Sequence, residues 1–325
     1  MQQATGMTAD PGRDRALPAT PPTIAVVGAT ATGKTAFAVR LARAIGSAEL
    51  VNADSRQVLR GLHVGTNRPG SEDLEGVACH LLGITDPGTP FSVADWLMAA
   101  RACLASLDLR GARPIVVGGT GLYVRALLDG LELGGAPPDP VHRAALNARA
   151  ASPEGLAELA GELRRRDPEG AAGIDLRNPR RVVRATEIVE TRGSLAGRAR
   201  RGNTRPSVRI GLQVAPELHR GWITARARTM LTGGLLEETA AALAGGVPPE
   251  ALDASGIGYR EAMAVLDGKL SEAAAAAEIV RRTARYAKAQ LTWFRADPSV
   301  VWLRRERGDD VADLVTRAVA LIEGA

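Results

Sequence analysis

At 325 residues the chain can bury one large core or two modest ones, and its 45% hydrophobic content includes no run of 18 or more apolar residues able to cross a bilayer. Two cysteines, Cys79 and Cys103, form no disulfide framework and no CxxC pair, so both are expected to be ordinary reduced thiols. A net charge of +5 leans toward an anionic partner. Arg supplies all but three of the 41 basic residues, so each retained lysine (Lys34, Lys269, Lys288) invites a reason.

Residues 1–21, rich in Pro, Ala, Thr, Asp and Gln, lack the apolar core of a secretory signal. They are expected to form a disordered leader, and nothing directs the chain out of the cytoplasm. The apolar run Thr23–Val27 then opens into Gly28-Ala29-Thr30-Ala31-Thr32-Gly33-Lys34-Thr35, which fits G-x-x-x-x-G-K-[ST], and an Ala-rich helical segment follows from Ala36 to Ala44. Strand, glycine-rich loop and helix together suit phosphate binding. Backbone N–H groups converge on phosphate oxygens and the helix N-terminus adds its dipole, while Lys34 neutralises charge and the Thr35 hydroxyl holds Mg2+. A lysine fits here because a compact ammonium enters a tight loop that a guanidinium fork would not.

A second strand, Glu49–Ala53, delivers Asp54-Ser55-Arg56-Gln57 to the carboxyl end of a parallel sheet. By chemistry alone, Asp54 is a metal ligand, a base, or the ion-pair partner of Arg56. Ser92 to Asp95 reads as a capping box opening a helix. Pro114–Val117 is a further buried strand running into Gly118-Gly119-Thr120-Gly121, whose glycines allow a ligand to approach closely, or simply form a tight turn. The helix Leu122–Leu128 comes next. Charged helical sequence over 136–204 interrupts the α/β pattern as an inserted lobe in which Arg177, Arg180, Arg181 and Arg184 cluster. Residues 208–214 return to strand. The long helix Ser271–Phe294 carries Arg281, Arg285 and Lys288, with Arg295 just beyond, as a basic stripe. His63, His80, His142 and His219 show no metal-ligand spacing. The expected architecture is α/β: a doubly wound parallel P-loop sheet formed by 22–135 and 205–325, with the helical lobe 136–204 inserted.

Eight segments in order, GATATGKT (28–35), DSRQVLRGLHVGT (54–66), HLLGITDP (80–87), VVGGTGLYVRALLDGL (116–131), NPRRVVRATEI (178–188), GLLEE (234–238), GIGYRE (256–261) and YAKAQLTWFR (286–295), make the chain resemble the tRNA dimethylallyltransferases, also called tRNA isopentenyltransferases. The resemblance runs from about residue 22 to 303. It implies that loop 28–35 grips the pyrophosphate of dimethylallyl pyrophosphate, that Thr30 and Arg226 assist its departure, and that Asp54 is the base that takes a proton from an adenine amine. It further implies contact with a tRNA anticodon stem-loop by Asp54, Ser55, Arg56, Gln57, Thr120, Arg143, Arg180, Arg181, Val182, Val183 and Arg184, in a monomer whose donor and acceptor enter one channel from opposite ends. Two other enzymes fit parts of the pattern. A prenyltransferase acting on adenylate or another small molecule needs no large RNA-binding lobe, and a P-loop kinase leaves the DSRQ and GGTGLY segments unexplained. A non-catalytic RNA-binding protein has no use for Lys34, Thr35, Asp54 and Arg226 together.

Overall fold

The computed structural model describes residues 21–131, 139–195 and 205–324. Residues 1–20 of the expected leader (1–21) and both ends of the expected insert, 136–138 and 196–204, lie outside the described residues.

Strand β1 (Thr23–Gly28) is buried throughout, and its side chains divide alternately between two cores. Ile24 and Val26 pack with Phe37, Leu41 and Leu314, whereas Ala25 and Val27 pack with Trp96, Val124 and Phe294. Burial on both faces is why the run reads as unbroken apolar sequence. Helix α1 (Lys34–Ile45) leads to β2 (Ala48–Asn52), the single turn α2 (Ser71–Leu74) and β3 (Cys79–His80). Helix α3 (Val93–Leu109) starts at the expected capping box: the Ser92 hydroxyl accepts from Ala94 and Asp95 N–H, and the Asp95 carboxylate accepts from Ser92 N–H at 2.7 Å. Then come β4 (Arg113–Gly118) and α4 (Gly121–Leu128).

Helices α5 (Pro140–Arg149), α6 (Pro153–Arg166), α7 (Pro168–Ala172) and α8 (Pro179–Arg192) fall in the stretch expected to be inserted and bury two small cores of their own, one around Leu163 and Ile188, the other around Leu146, Leu159, Val182 and Val183. The chain returns to the sheet at β5 (Ser207–Val214). Four helices follow, α9 (Pro216–Thr232), α10 (Leu235–Ala244), α11 (Pro249–Ser255) and α12 (Tyr259–Leu266), then the long α13 (Glu272–Arg295), β6 (Val300–Arg305) and α14 (Val311–Glu323).

All six strands are parallel, in the order β3-β2-β4-β1-β5-β6. The four expected strands are the central ones. The sequence reading missed the two edges, because a two-residue β3 has no period to detect and β6 ends in Arg304-Arg305. It also gave no hint that α9 to α12 gather a third core of Leu62, Met230, Leu235, Leu252, Tyr259 and Ile279 against α13. Among the described residues no helix is long and apolar enough to cross a membrane. Both cysteines are free thiols, and burial pushes that of Cys79 up to about 12.

Candidate active site

Parallel strands present their carboxyl ends at one edge, where loops after β1, β2 and β4 meet. Gly28 closes β1 at φ 142°, and a Cβ there would stand 2.6 Å from the Leu212 carbonyl of β5, so the loop leaves the sheet through a position only glycine fills. Beyond it the loop turns through Ala31 at φ 57° and Gly33 at φ 79° into α1. The Ala29 side chain is buried with Ile223 and Ala287, while its carbonyl accepts from the Thr32 hydroxyl at 2.9 Å and from Lys34 Nζ at 2.6 Å. Lys34 therefore lies folded across the loop. Burial, opposed by Asp54 and reinforced by Arg226, brings its ammonium down from 10.5 to about 8. The Thr35 hydroxyl makes no hydrogen bond within the described protein and stands in the first turn of α1, whose N–H groups have no partner inside the helix.

Thr30 is gripped on three sides. Its N–H donates to Gln290 Oε1 at 2.7 Å, its carbonyl faces His219 Nε2 at 2.9 Å, and its hydroxyl accepts from Arg226 Nη1 at 2.8 Å. His219, Ile223 and Arg226 recur at helical spacing on one face of α9, so this helix lies along the loop. The Thr30 N–H is consequently committed to Gln290, and the loop donors open to a phosphate lie further on, toward α1. Burial lowers Arg226, which Asp54 opposes, so these two opposite charges are within electrostatic reach.

Asp54 is held from behind. Its N–H donates to Asn52 Oδ1 at 3.1 Å, and Asn52 is fixed in turn by donating to the Leu81 carbonyl at 3.1 Å. The Asn52 carbonyl accepts from Trp96 Nε1 at 3.1 Å, and Trp96 stacks on Tyr123 with ring centres 4.4 Å apart. The Asp54 carboxylate accepts from Arg56 N–H at 2.9 Å. Burial pushes the hydroxyls of Tyr123 and Tyr286 up to about 12, and the charge of Asp54 adds to both shifts. Ser55 N–H donates to Thr120 Oγ1 at 2.9 Å, Arg56 reaches the Ala254 carbonyl, and Gln57 donates to the Asn67 carbonyl at 2.8 Å. The Asp54 loop is thus tied to the turn after β4 and to α11.

The glycines of that turn make room for the protein itself. A Cβ at Gly118 would stand 2.2 Å from the Ala53 carbonyl, at Gly119 2.3 Å from Gln290 and at Gly121 2.1 Å from the Trp293 ring, so the missing side chains are what let these neighbours pack against the turn. Gln290 joins the two loops, since it also donates to the Gly119 carbonyl at 2.8 Å. A second support involves GLLEE and GIGYRE: the Glu238 carboxylate accepts from the N–H groups of Val64 at 2.8 Å and Gly65 at 3.0 Å, from that of His63, and from the Tyr259 hydroxyl at 2.8 Å. These segments hold the chain that follows Asp54.

The lobe residues stand apart from this cluster. Arg180 and Arg181 are exposed on the first turn of α8, but Val182 and Val183 are 0% and 3% exposed in the core of the lobe. Their side chains are therefore withdrawn from the expected tRNA contact, because helical spacing turns residues 182 and 183 inward. Arg143 forms a double hydrogen bond with the buried Glu187 at 2.6 and 2.5 Å, and Arg184 reaches the same carboxylate at 3.0 Å. Arg281, Arg285, Lys288 and Arg295 are exposed along α13, with Arg281 paired to Glu278.

Sequence reading missed Gln290, His219, Glu238 and Tyr259 as parts of the site. Gln290 left a signal: it occupies a buried α13 position in register with Ala287 and Phe294, where a polar side chain needs a partner. His219 left none beyond its place on the face of Arg226. Among the described residues no group of three or more His, Cys, Asp or Glu side chains could hold a metal.

The sequence pattern of the family described as IPP transferase matches residues 57–297, and that described as isopentenyl transferase matches 22–83. The tRNA dimethylallyltransferase of Shouchella clausii (strain KSM-K16) is 37% identical over 306 residues, 93% of this chain and 97% of that protein. The structure resembles the full-length tRNA isopentenylpyrophosphate transferase from Bacillus halodurans, with a TM-score of 0.69 and 34% identity over 93% of this chain and 97% of that one. It also resembles a eukaryotic dimethylallyltransferase acting on tRNA, with a TM-score of 0.77 over 92% of this chain and 78% of that one; at 22% identity that match speaks for the fold.

Proposed function

The chain belongs to the IPP transferase family of tRNA dimethylallyltransferases, and on that premise we propose that it moves a dimethylallyl group from dimethylallyl pyrophosphate to the exocyclic amine of an adenosine beside a tRNA anticodon. The observation that supports this most is the convergence of Lys34, Thr35, the Arg226–Thr30 pair and Asp54 at the carboxyl edge of the sheet. That combination offers a cationic cradle for a departing anion with one carboxylate beside it.

In the reaction the allylic C–O bond breaks, pyrophosphate leaves with the bonding electrons, and the amine nitrogen forms the new C–N bond. Lys34, Arg226 and the free N–H groups at the start of α1 neutralise the developing charge on the leaving oxygens. An adenine amine is a weak nucleophile because its lone pair is delocalised, so removal of its proton must accompany attack. The carboxylate of Asp54, which accepts from Arg56 N–H while Asn52 holds the backbone behind it, takes that proton. The unpartnered Thr35 hydroxyl would be the side chain to hold Mg2+, a hard cation that prefers oxygen ligands. Bound there, Mg2+ would add charge neutralisation on the pyrophosphate. The exposed Arg180, Arg181, Arg285, Lys288 and Arg295 would meet the RNA backbone.

The test is transfer of radiolabelled dimethylallyl pyrophosphate, with Mg2+, to unmodified tRNA bearing adenosine beside the anticodon, with AMP and ATP as parallel acceptors and Asp54→Ala as control. Label should appear on tRNA and fall at least a hundredfold in the variant, in keeping with loss of a general base. Label confined to the nucleotides would move the acceptor to a small molecule, and ATP turnover without label would refute prenyl transfer.

A further inference from the structure

Lys34 and Arg226 are not the only cations beside the loop. The register of β5 with β6 pairs Leu212 with Leu303 and Val214 with Arg305, and that of β1 with β5 pairs Gly28 with Leu212. Arg305 therefore stands two residues past the level at which β1 ends, or about 7 Å along the strands, where the P-loop rises from the sheet. Its side chain shares a sheet face with Leu303, which is buried in the core that α1 covers. If Gly33 carried a Cβ, the nearest atom would be Arg305 Nη1 at 3.8 Å, and nothing else lies within 4 Å. The guanidinium thus stands beside Gly33, the residue that caps the start of α1.

Arg305 is also held in place without a counter-ion. Its Cζ lies 4.9 Å from the ring centre of Trp222, on the same helix as His219 and Arg226, which grip Thr30. Neighbouring Arg304 is paired with Glu306, but no carboxylate among the described residues pairs with Arg305. A partly buried guanidinium fixed by an aromatic face, unpaired, beside an anion cradle is arranged for an anionic ligand.

We propose that Arg305 is a further pyrophosphate-binding residue that takes the terminal phosphate of the prenyl donor, a reading that rests on the function proposed above. The sheet order gives the polarity: Asp54 follows β2, two strands to one side of β1, and Arg305 ends β6, two strands to the other. The allylic carbon must face Asp54, so the phosphate farther from that carbon faces Arg305. Trp222 is then a positioning residue that holds the guanidinium beside the loop.

The test compares the full chain with its Arg305→Ala and Arg305→Lys variants, in the presence of Mg2+, for binding of inorganic pyrophosphate and of dimethylallyl monophosphate, together with steady-state transfer. Arg305→Ala should weaken pyrophosphate about tenfold and raise KM for the donor by the same factor. It should leave kcat within twofold and the monophosphate affinity unchanged, because a contact to the terminal phosphate is made equally before and during bond breaking. Arg305→Lys should recover part of the loss, since a point charge remains. Unchanged pyrophosphate affinity, or an equal loss for both ligands, would overturn the assignment of Arg305. A wild-type chain that binds no pyrophosphate would instead refute the donor reading on which it rests.

Discussion

Lys34 shows how one side chain serves two states. In the free protein it donates to its own loop carbonyl, and burial holds its ammonium at about 8 against an ordinary 10.5. A lowered lysine favours the neutral form in the folded chain. Its contribution to stability is therefore full above pH 10.5 and is lost as pH falls through about 8. Ligand binding runs the other way, because the pyrophosphate attracts the charged form. Affinity for inorganic pyrophosphate should thus fall by up to tenfold per pH unit above about pH 8, relative to a Lys34→Met variant in which this proton is absent; calorimetric titrations at pH 7.5 and 9 measure the difference. Equal pH dependence in the two proteins would show that Lys34 does not bind as a cation. The choice of Lys here was legible, since the chain is so short of lysine that its appearance in a P-loop pattern stood out. Its lowered pKa was not legible, because burial of the ammonium and the opposing charges of Asp54 and Arg226 arise only when remote segments come together.

At the scale of elements, the site is a set of loops fixed by helices that are remote in sequence. Gln290 of α13 ties the P-loop to the turn after β4, and Glu238 of α10 caps the chain behind Asp54 by accepting from three consecutive N–H groups and from Tyr259. Gly65 is confined by that same contact, for a Cβ there would stand 2.3 Å from the Tyr259 ring. Glu238→Ala should destabilise the fold by about 2 kcal/mol, the scale for hydrogen bonds to a charged acceptor, here partly buried, as read by urea unfolding. It should also lower kcat, because the strap that follows Asp54 loses its anchor. An unchanged unfolding midpoint would remove Glu238 from this role. The segments GLLEE and GIGYRE were visible in the sequence as parts of a resemblance, but their task was not. A carboxylate that caps a loop 173 residues away leaves no periodic trace.

On the scale of the whole molecule, the proposed donor and acceptor residues lie on different parts of the chain. The P-loop cluster sits at the carboxyl edge of the sheet, whereas Arg180 and Arg181 sit on a run of helices with small cores of its own. Replacing both arginines with Ala should weaken tRNA binding and reduce the slope of log affinity against log salt by about 1.5, while inorganic pyrophosphate binds as before. A change in the pyrophosphate affinity would contradict this separation. The sequence by itself determined the central strands, the P-loop pattern and its lysine, the place of Asp54 just past β2, the helical character of the segment before β5, and the family. All of these are written in short-range patterns, in the period of burial or in a contiguous motif. Tertiary structure alone decided which groups face one another. It placed Gln290, His219 and Arg226 around Thr30, filled the glycine turn with Ala53 and Trp293, turned Val182 and Val183 into the lobe, and brought Arg305 beside Gly33. The physical reason is that a parallel sheet orders its strands differently in space than in sequence, so groups that meet at its carboxyl edge, such as Thr30 and Gln290, lie as much as 260 residues apart in the chain.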